Sequence, residues 1–273
     1  MNKTVLLTGA NGFLGTFLTR HLQPTFTVMP LLNVHGLPWR LGDSLNMTQL
    51  NDAHCLLHAG WDMNAENWKE IIAQNIRGSR LLVKQAKTHA VPVLFISSMS
   101  AFKGCRSKYG RAKLIVEKTV VKNGGWIIRP GLIWNPGQLG GILGKIANIV
   151  RFLPIIAIPS TAKQKLHMTN LSNLGDVILS ILLGKLNIND HPVFAEFEPI
   201  TLKAIVQAVA RKNDKPSKVF AINPVFFIAA LTLVNRFLGP KKIKIDSVIG
   251  LLHAVDEPDF CGIHPKSRFL LDF

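Results

Sequence analysis

The stretch Thr8-Gly9-Ala10-Asn11-Gly12-Phe13-Leu14-Gly15 decides how this chain is read. It follows a short apolar run over residues 4–7, the length of a buried strand, and opens a helical pattern over residues 13–22. Gly9 permits a tight turn, Gly12 lets the backbone approach an anion, and Gly15 lets helix and strand pack closely. Free N–H groups and the macrodipole at the helix N-terminus then favour a pyrophosphate. The expected contacts of a bound dinucleotide here are Gly9, Asn11, Gly12, Phe13, Leu14 and Gly15.

Outward from this turn, strand and helix signals alternate. Strands are expected at residues 25–32, 54–58, 91–97 and 126–129, and helices at 67–87 and 108–121. Each strand is continuously apolar rather than alternating, which describes a parallel sheet covered on both faces. The fold class is therefore α/β, a doubly wound, Rossmann-like sheet with a small mixed C-terminal substrate region. Residues 1–133 are expected to form the NAD(P)-binding core, completed by about 165–197. Residues 134–164 and 198–273 are left for substrate. Leu139, Ile142, Leu143, Ile146, Val150 and Leu153 recur at helical spacing, but Gly140, Gly141 and Gly144 among them predict a mobile element. A helix over 171–183, a strand over 193–197 and a helix capped by Thr201 follow.

Composition narrows the class. The chain has 273 residues, 48% apolar and 18% charged, which excludes intrinsic disorder. Three scattered cysteines exclude a disulfide scaffold and suit a reducing, cytoplasmic setting. Lys and Arg number 32 against 16 Asp and Glu, a formal charge of +16, so an anionic partner is expected. Nucleic acid is disfavoured, because Arg and aromatic residues do not interleave and no zinc-finger or RNP-like spacing occurs. Cys261 and His264 lack a second ligand pair, so no metal site is expected. Val225 to Val234 is about half the ~20 residues a membrane span needs. A buried helix is the first reading. An interfacial helix is the second, with Lys241, Lys242 and Lys244 beside anionic headgroups at the inner face of a membrane.

The chemistry is carried by Tyr109, the single tyrosine, and Lys113 four residues later. On a helix that spacing puts both side chains on one face. An ammonium beside a phenol is expected to lower a pKa of ~10 toward neutrality, making a general acid/base for carbonyl–alcohol interconversion. Ser98, at a strand end, can hold the reacting oxygen, and Lys113 can also bond the nicotinamide ribose. The second strand normally ends in an acid that binds the ribose of NAD. Here Asn33 is offered instead, no Asp or Glu precedes Asp43, and Arg40 or His35 stands nearby to face a 2′-phosphate. That leans toward NADP, with NAD kept as the alternative.

Taken together, the segment from Thr8 to Gly15, Ser98 and Tyr109-x-x-x-Lys113 resemble the short-chain dehydrogenase/reductase superfamily, from residue 3 to about 180. The resemblance is to its extended branch of NAD(P)-dependent sugar-nucleotide epimerases, dehydratases and reductases. It implies that Ser98, Tyr109 and Lys113 are catalytic. It also implies cofactor contacts from Asp43 and Ser44 (adenine), Ala59 and Gly60 (a strand end), Asn75 (support of the active site) and Pro130 (nicotinamide). A homodimer through the helices at 67–87 and 108–121 is implied too.

Departures from the family pattern shape the functional expectation. Only Met99 to Lys108 separate the serine from the tyrosine, so a substrate loop is trimmed. Leu132 stands where the family often has asparagine, and Met99 and Ser100 replace the acids of a dehydratase. The expected substrate is a nucleotide-diphosphate sugar and the expected reaction 4-keto reduction. A 4-epimerase with tightly held NAD is one alternative, and a non-catalytic dinucleotide-binding sensor or assembly subunit is another. Lys103, Arg106, Lys108 and Arg111 are expected near the entrance, where they would capture the diphosphate. Trp39, Trp61 and Trp134 are expected as core or cleft walls. Of His54 and His58, one is expected to pack and the other to line the cofactor cleft.

Overall fold

The computed structural model describes residues 3–43, 45–135, 139–153, 155–159, 165–188, 192–195, 198–213, 218–238, 243–255 and 257–260. The sites expected at Ser44, Lys241, Lys242, Cys261 and His264 lie outside them.

The first half runs β1 (Thr4–Thr8), α1 (Phe13–Leu22), β2 (Thr27–Pro30), a single turn α2 (Thr48–Asn51) and β3 (Ala53–His58). Helices α3 (Trp68–Ile71) and α4 (Arg77–Thr88) follow, joined through a π-helical turn (Ile72–Ile76), then β4 (Val93–Ile96), α5 (Lys108–Lys122) and β5 (Trp126–Pro130). The second half runs β6 (Leu132–Trp134), α6 (Gly141–Phe152), β7 (Ile155–Pro159), β8 (Lys165–Leu166), β9 (Met168–Asn170), α7 (Leu171–Leu182) and β10 (Val193–Phe194). It ends with β11 (Ile200–Thr201), α8 (Leu202–Lys212), β12 (Lys218–Ile222), α9 (Pro224–Leu238) and α10 (Ile245–Leu252).

Six strands form one parallel sheet in the order β10-β5-β4-β3-β1-β2. Successive residues of β1 serve opposite cores. Val5 and Leu7 pack with Leu18 and Leu22 of α1 and Leu174 and Ile178 of α7. Leu6 packs with Leu82 and Val83 of α4 and Val116 and Val120 of α5. Burial on both faces is why the strands read as unbroken apolar runs. The chain leaves β1 toward β2 on one side and returns through β3 on the other. Their C-terminal loops part at this switch point, where a doubly wound sheet opens its ligand crevice.

A third core lies under the second half. Trp134, Leu143, Val150, Ile156, Ile158, Met168, Ile205, Val206 and Val209 fill it, beneath the parallel β7–β12 pair and the paired helices α6 and α8.

Several expected elements change. The strand expected over 25–32 is only Thr27–Pro30, because the N–H groups of Thr25 and Phe26 both close onto the Leu22 carbonyl as α1 ends. The helical spacing over 139–153 is realised as α6, with Leu143 and Val150 in the third core. Glycine is required just before it, since a Cβ on Gly140 would stand 2.3 Å from the Phe13 ring. The strand expected over 193–197 is observed as Val193–Phe194, with residues 196 and 197 outside the described set. The expectation of a buried helix at 225–234 fails as well: among the described side chains of α9 only Leu231 is fully buried, while Val225, Phe226, Leu233, Val234 and Phe237 face outward.

Candidate active site

The glycine turn has the shape its spacing requires. Gly9 adopts φ +72°, and a Cβ there would meet Gly60 Cα at 2.7 Å, so the loops after β1 and β3 touch backbone to backbone. A Cβ on Gly15 would lie 2.0 Å from the Gly9 carbonyl oxygen. Asn11 and Gly12 are exposed, and α1 begins at Gly12 with no side-chain cap. Its first N–H groups therefore suit an anion. A dinucleotide pyrophosphate fits this cradle. Leu14 packs on the sheet core beside Ala59, and Phe13 lines the cleft that continues from the turn.

A polar seam joins the two loops. Thr8 Oγ1 accepts the Gly60 N–H at 2.9 Å and is hydrogen-bonded to His58 Nδ1 at 2.7 Å. His58 Nε2 is bonded to Ser79 Oγ at 2.9 Å. Complete burial, with the Lys113 charge adding, pushes His58 down to about 3, so it is neutral. Neither histidine of β3 lines this cleft: His58 is in the core, and His54 stacks on Phe26.

The cleft encloses about 710 Å³, within the range of small-molecule sites. Phe13, Trp61, Ser98, Tyr109, Leu132 and Lys244 are among its walls. Tyr109 stands on the first turn of α5 and lines the cleft together with Ser98, whose hydroxyl acts on the phenol. Ser98 Oγ also accepts the Ser100 N–H at 3.1 Å. Lys113, one turn on and 2% exposed, donates to the Ile96 carbonyl at 2.9 Å. Its Nζ sits 4.1 Å from the Trp61 ring centre and 5.7 Å from that of Tyr109. Trp61 meets Tyr109 edge to face.

Burial reverses the expected electrostatics. Desolvation raises Tyr109 to about 12, against the lowering effect of the Ser98 hydroxyl. Desolvation likewise pulls Lys113 down to about 7, with Glu117 opposing. Spacing alone predicts an ammonium that eases the proton off the phenol. The structure instead holds a phenol that keeps its proton.

Other expected residues have more local tasks. The buried Asn75, in the π turn, accepts the Asp62 N–H at 2.8 Å and donates to the Asp62 carbonyl at 3.0 Å. Both ends of its amide thus hold the loop that carries Trp61. Asn33 Oδ1 accepts the N–H groups of His35 and Leu37, and its amide donates to Asp43. Asp43 also accepts the Arg40 N–H, so these groups shape the loop after β2 and leave the Arg40 side chain exposed. Pro130 is buried, while the following Gly131, Leu132 and Ile133 reach the cleft. Of the four expected entrance cations, only Lys108 lines the cleft; Arg111 lies over Trp68, and Arg106 is bonded to His253. Trp39 and Trp134 are core residues.

Two features escaped the sequence reading. Asp246, at the start of α10, accepts the N–H groups of Lys108 and Tyr109 at 2.7 and 3.0 Å. Lys244 donates to the Met63 carbonyl and lies 3.9 Å from Glu66. A strap from 243 to 246 thus crosses the cleft mouth. Behind the tyrosine, Glu117 is buried, pairs with Arg129 at 2.7 Å and accepts from Ser97 at 2.5 Å.

No family model matches this chain. No curated protein matches it by sequence. Its fold is nonetheless shared with solved structures. A dTDP-4-dehydrorhamnose reductase from Bacillus anthracis, in complex with NADP, superposes with a TM-score of 0.66 at 19% identity, covering 83% of this chain and 86% of that one. MoeE5, in complex with UDP-glucuronic acid and NAD, gives 0.64 at 18% identity, covering 81% and 85%. UDP-N-acetylglucosamine 4-epimerase from Bacillus cereus gives 0.60 at 14% identity, covering 81% and 88%. The chain thus has the Rossmann-like fold found in NAD(P)-dependent sugar-nucleotide reductases and epimerases.

Proposed function

We propose that the chain is an NAD(P)-dependent oxidoreductase acting on a nucleotide-diphosphate sugar, reducing a 4-keto group in polysaccharide precursor synthesis. The observation that carries this reading is that Tyr109 and Ser98 line one cleft with Phe13, the residue directly after the glycine turn. A dinucleotide bound there supplies the hydride. The chain's own part is to hold the ketone oxygen between Ser98 and Tyr109 and to deliver the phenolic proton as the alcohol forms. A phenol held near 12 is protonated at neutral pH, which suits reduction.

NADP is favoured over NAD, because no acid stands between β2 and Asp43 and the Arg40 side chain is exposed beyond it. Of the solved structures named above, the dTDP-4-dehydrorhamnose reductase holds NADP and MoeE5 holds NAD. Dimerisation through α4 and α5, which expose Leu81 and Val121, belongs to the same proposal.

The test is a panel of UDP-, GDP-, CDP- and dTDP-linked 4-keto sugars, with NADPH oxidation followed by absorbance. Turnover of one member by the wild-type chain and not by Tyr109→Phe supports the reading. Silence across the panel, with NAD retained through purification, would assign the site to 4-epimerisation instead.

A further inference from the structure

Helix α9 is apolar around its whole circumference but buried along only one stripe. At 100° per residue, Pro224, Phe227, Ile228, Leu231 and Asn235 share the inward face, and each is buried or half-buried. On the opposite side lie Val225, Phe226, Ala229, Ala230, Leu233, Val234 and Phe237, all exposed, with Arg236 among them near one edge. Phe226 is 72% exposed and Phe237 83%. A helix apolar on all sides belongs in a core or in lipid. Here the core takes only half of it. Strands β7 and β12, beside α9, add exposed Ile155 and Phe220.

Charge selects the occupant. Between residues 199 and 255 the chain carries Lys203, Arg211, Lys212, Lys215, Lys218, Arg236, Lys241 and Lys242, besides Lys244 at the cleft mouth and not beside headgroups as expected, against only Asp214 and Asp246. Asp246 is committed to the first turn of α5. A second copy of the chain carries the same charge, +16 over its whole sequence, and is repelled. A surface of anionic lipid is attracted, and it dissolves the phenylalanines as well. Among the described residues no helix is long and apolar enough to cross a membrane.

We infer that the outer face of α9 docks in the plane of a bilayer rich in anionic lipid, with Phe226 and Phe237 as its anchors. This inference does not depend on the reaction proposed above. The attachment bears on the cleft all the same, because Asn235 on the inner face lines it. The Asn235 amide exchanges two hydrogen bonds, at 2.8 and 3.0 Å, with the backbone of Ile243, where the strap over the mouth begins.

The test is co-sedimentation of the full chain with vesicles of phosphatidylcholine and phosphatidylglycerol in equal parts, and with phosphatidylcholine alone. Binding to the mixed vesicles at low salt, weakened by about tenfold or more in Phe226→Ser/Phe237→Ser, is expected. Thermal denaturation should show that variant folded as the wild type. In Phe226→Trp the indole emission should shift to the blue when mixed vesicles are added. No sedimentation with the mixed vesicles, or equal sedimentation of the double variant, would overturn the inference. So would a dimer in sedimentation velocity that the double variant dissolves, which would give the face to a second copy.

Discussion

Asp246 straddles the first turn of the helix that carries Tyr109, accepting the backbone N–H of Tyr109 at 3.0 Å and that of its neighbour Lys108 at 2.7 Å. With Ser107 Oγ accepting the Gly110 N–H, the opening donors of α5 are satisfied from a residue 137 positions downstream and from the N-cap. An anion at a helix N-terminus contributes about 0.3–2 kcal/mol, and a cap about 1. Asp246→Ala is therefore expected to lower stability by about 1–2 kcal/mol in urea denaturation. The phenol loses its anchor too, so kcat should fall about tenfold while the Kd for NADPH, set at the glycine turn, stays unchanged. Asp246→Asn should restore part of both losses.

Tyr109→Phe removes a hydroxyl and little else, because the ring keeps its edge contact with Trp61. Isothermal titration should show dinucleotide affinity within about twofold of wild type. Turnover should drop by about 10²–10⁴, the usual worth of a positioned proton donor. Ser98→Ala should lower kcat less, since it leaves the donor in place.

The buried Lys113 gives a signed pH dependence. Its pKa falls from an ordinary lysine value to about 7 on folding, so between pH 7 and about 10 the unfolded chain binds more protons than the folded one. Stability from this group therefore rises with pH across that window, and the buried ammonium costs most below pH 7. Lys113→Met is expected to raise the melting temperature at pH 7, with the gain shrinking as pH approaches 10, and to abolish turnover. Scanning calorimetry of both proteins at pH 7 and pH 9.5 checks the sign.

Gly12 and Gly15 separate binding from folding. A Cβ on Gly12 meets only the Gly9 carbonyl oxygen, at 3.2 Å, and φ there is −81°, so Gly12→Ala should fold with a nearly unchanged melting temperature. Its methyl group would stand where the pyrophosphate approaches, and NADPH affinity should weaken by about tenfold or more. A Cβ on Gly15 collides with backbone at 2.0 Å, so Gly15→Ala should lower the melting temperature itself.

What could be read from sequence was local. The strands are legible because two-sided burial leaves them unbroken apolar runs, and the crevice is legible because Gly9, Gly12 and Gly15 each answer one steric demand. Tyr109 and Lys113 share a face by helical arithmetic. Asp246 and Asn235 were not legible, because their work is done on backbone N–H and carbonyl groups that any residue would present. Nor was the protonation state of Tyr109, whose direction of shift depends on how deeply the phenol and Lys113 are desolvated. The loop-tying bonds of Asn33 and Asp43 were not legible for a related reason: a short polar side chain after a strand reads alike whether it faces a ligand, ties its own loop or does both. Helix α9 looked like core because hydropathy counts apolar residues without saying how many sides have neighbours.

The bond from Thr8 to His58 and on to Ser79 sets how the crevice responds to acid. Its imidazole gains a proton only near pH 3, far below anything a living compartment reaches. Cellular acidification therefore leaves the two glycine-bearing loops in register. Between pH 5 and 8 the group of the site that changes charge is Lys113, held at about 7, while the Thr8–His58–Ser79 seam acts as an invariant reference.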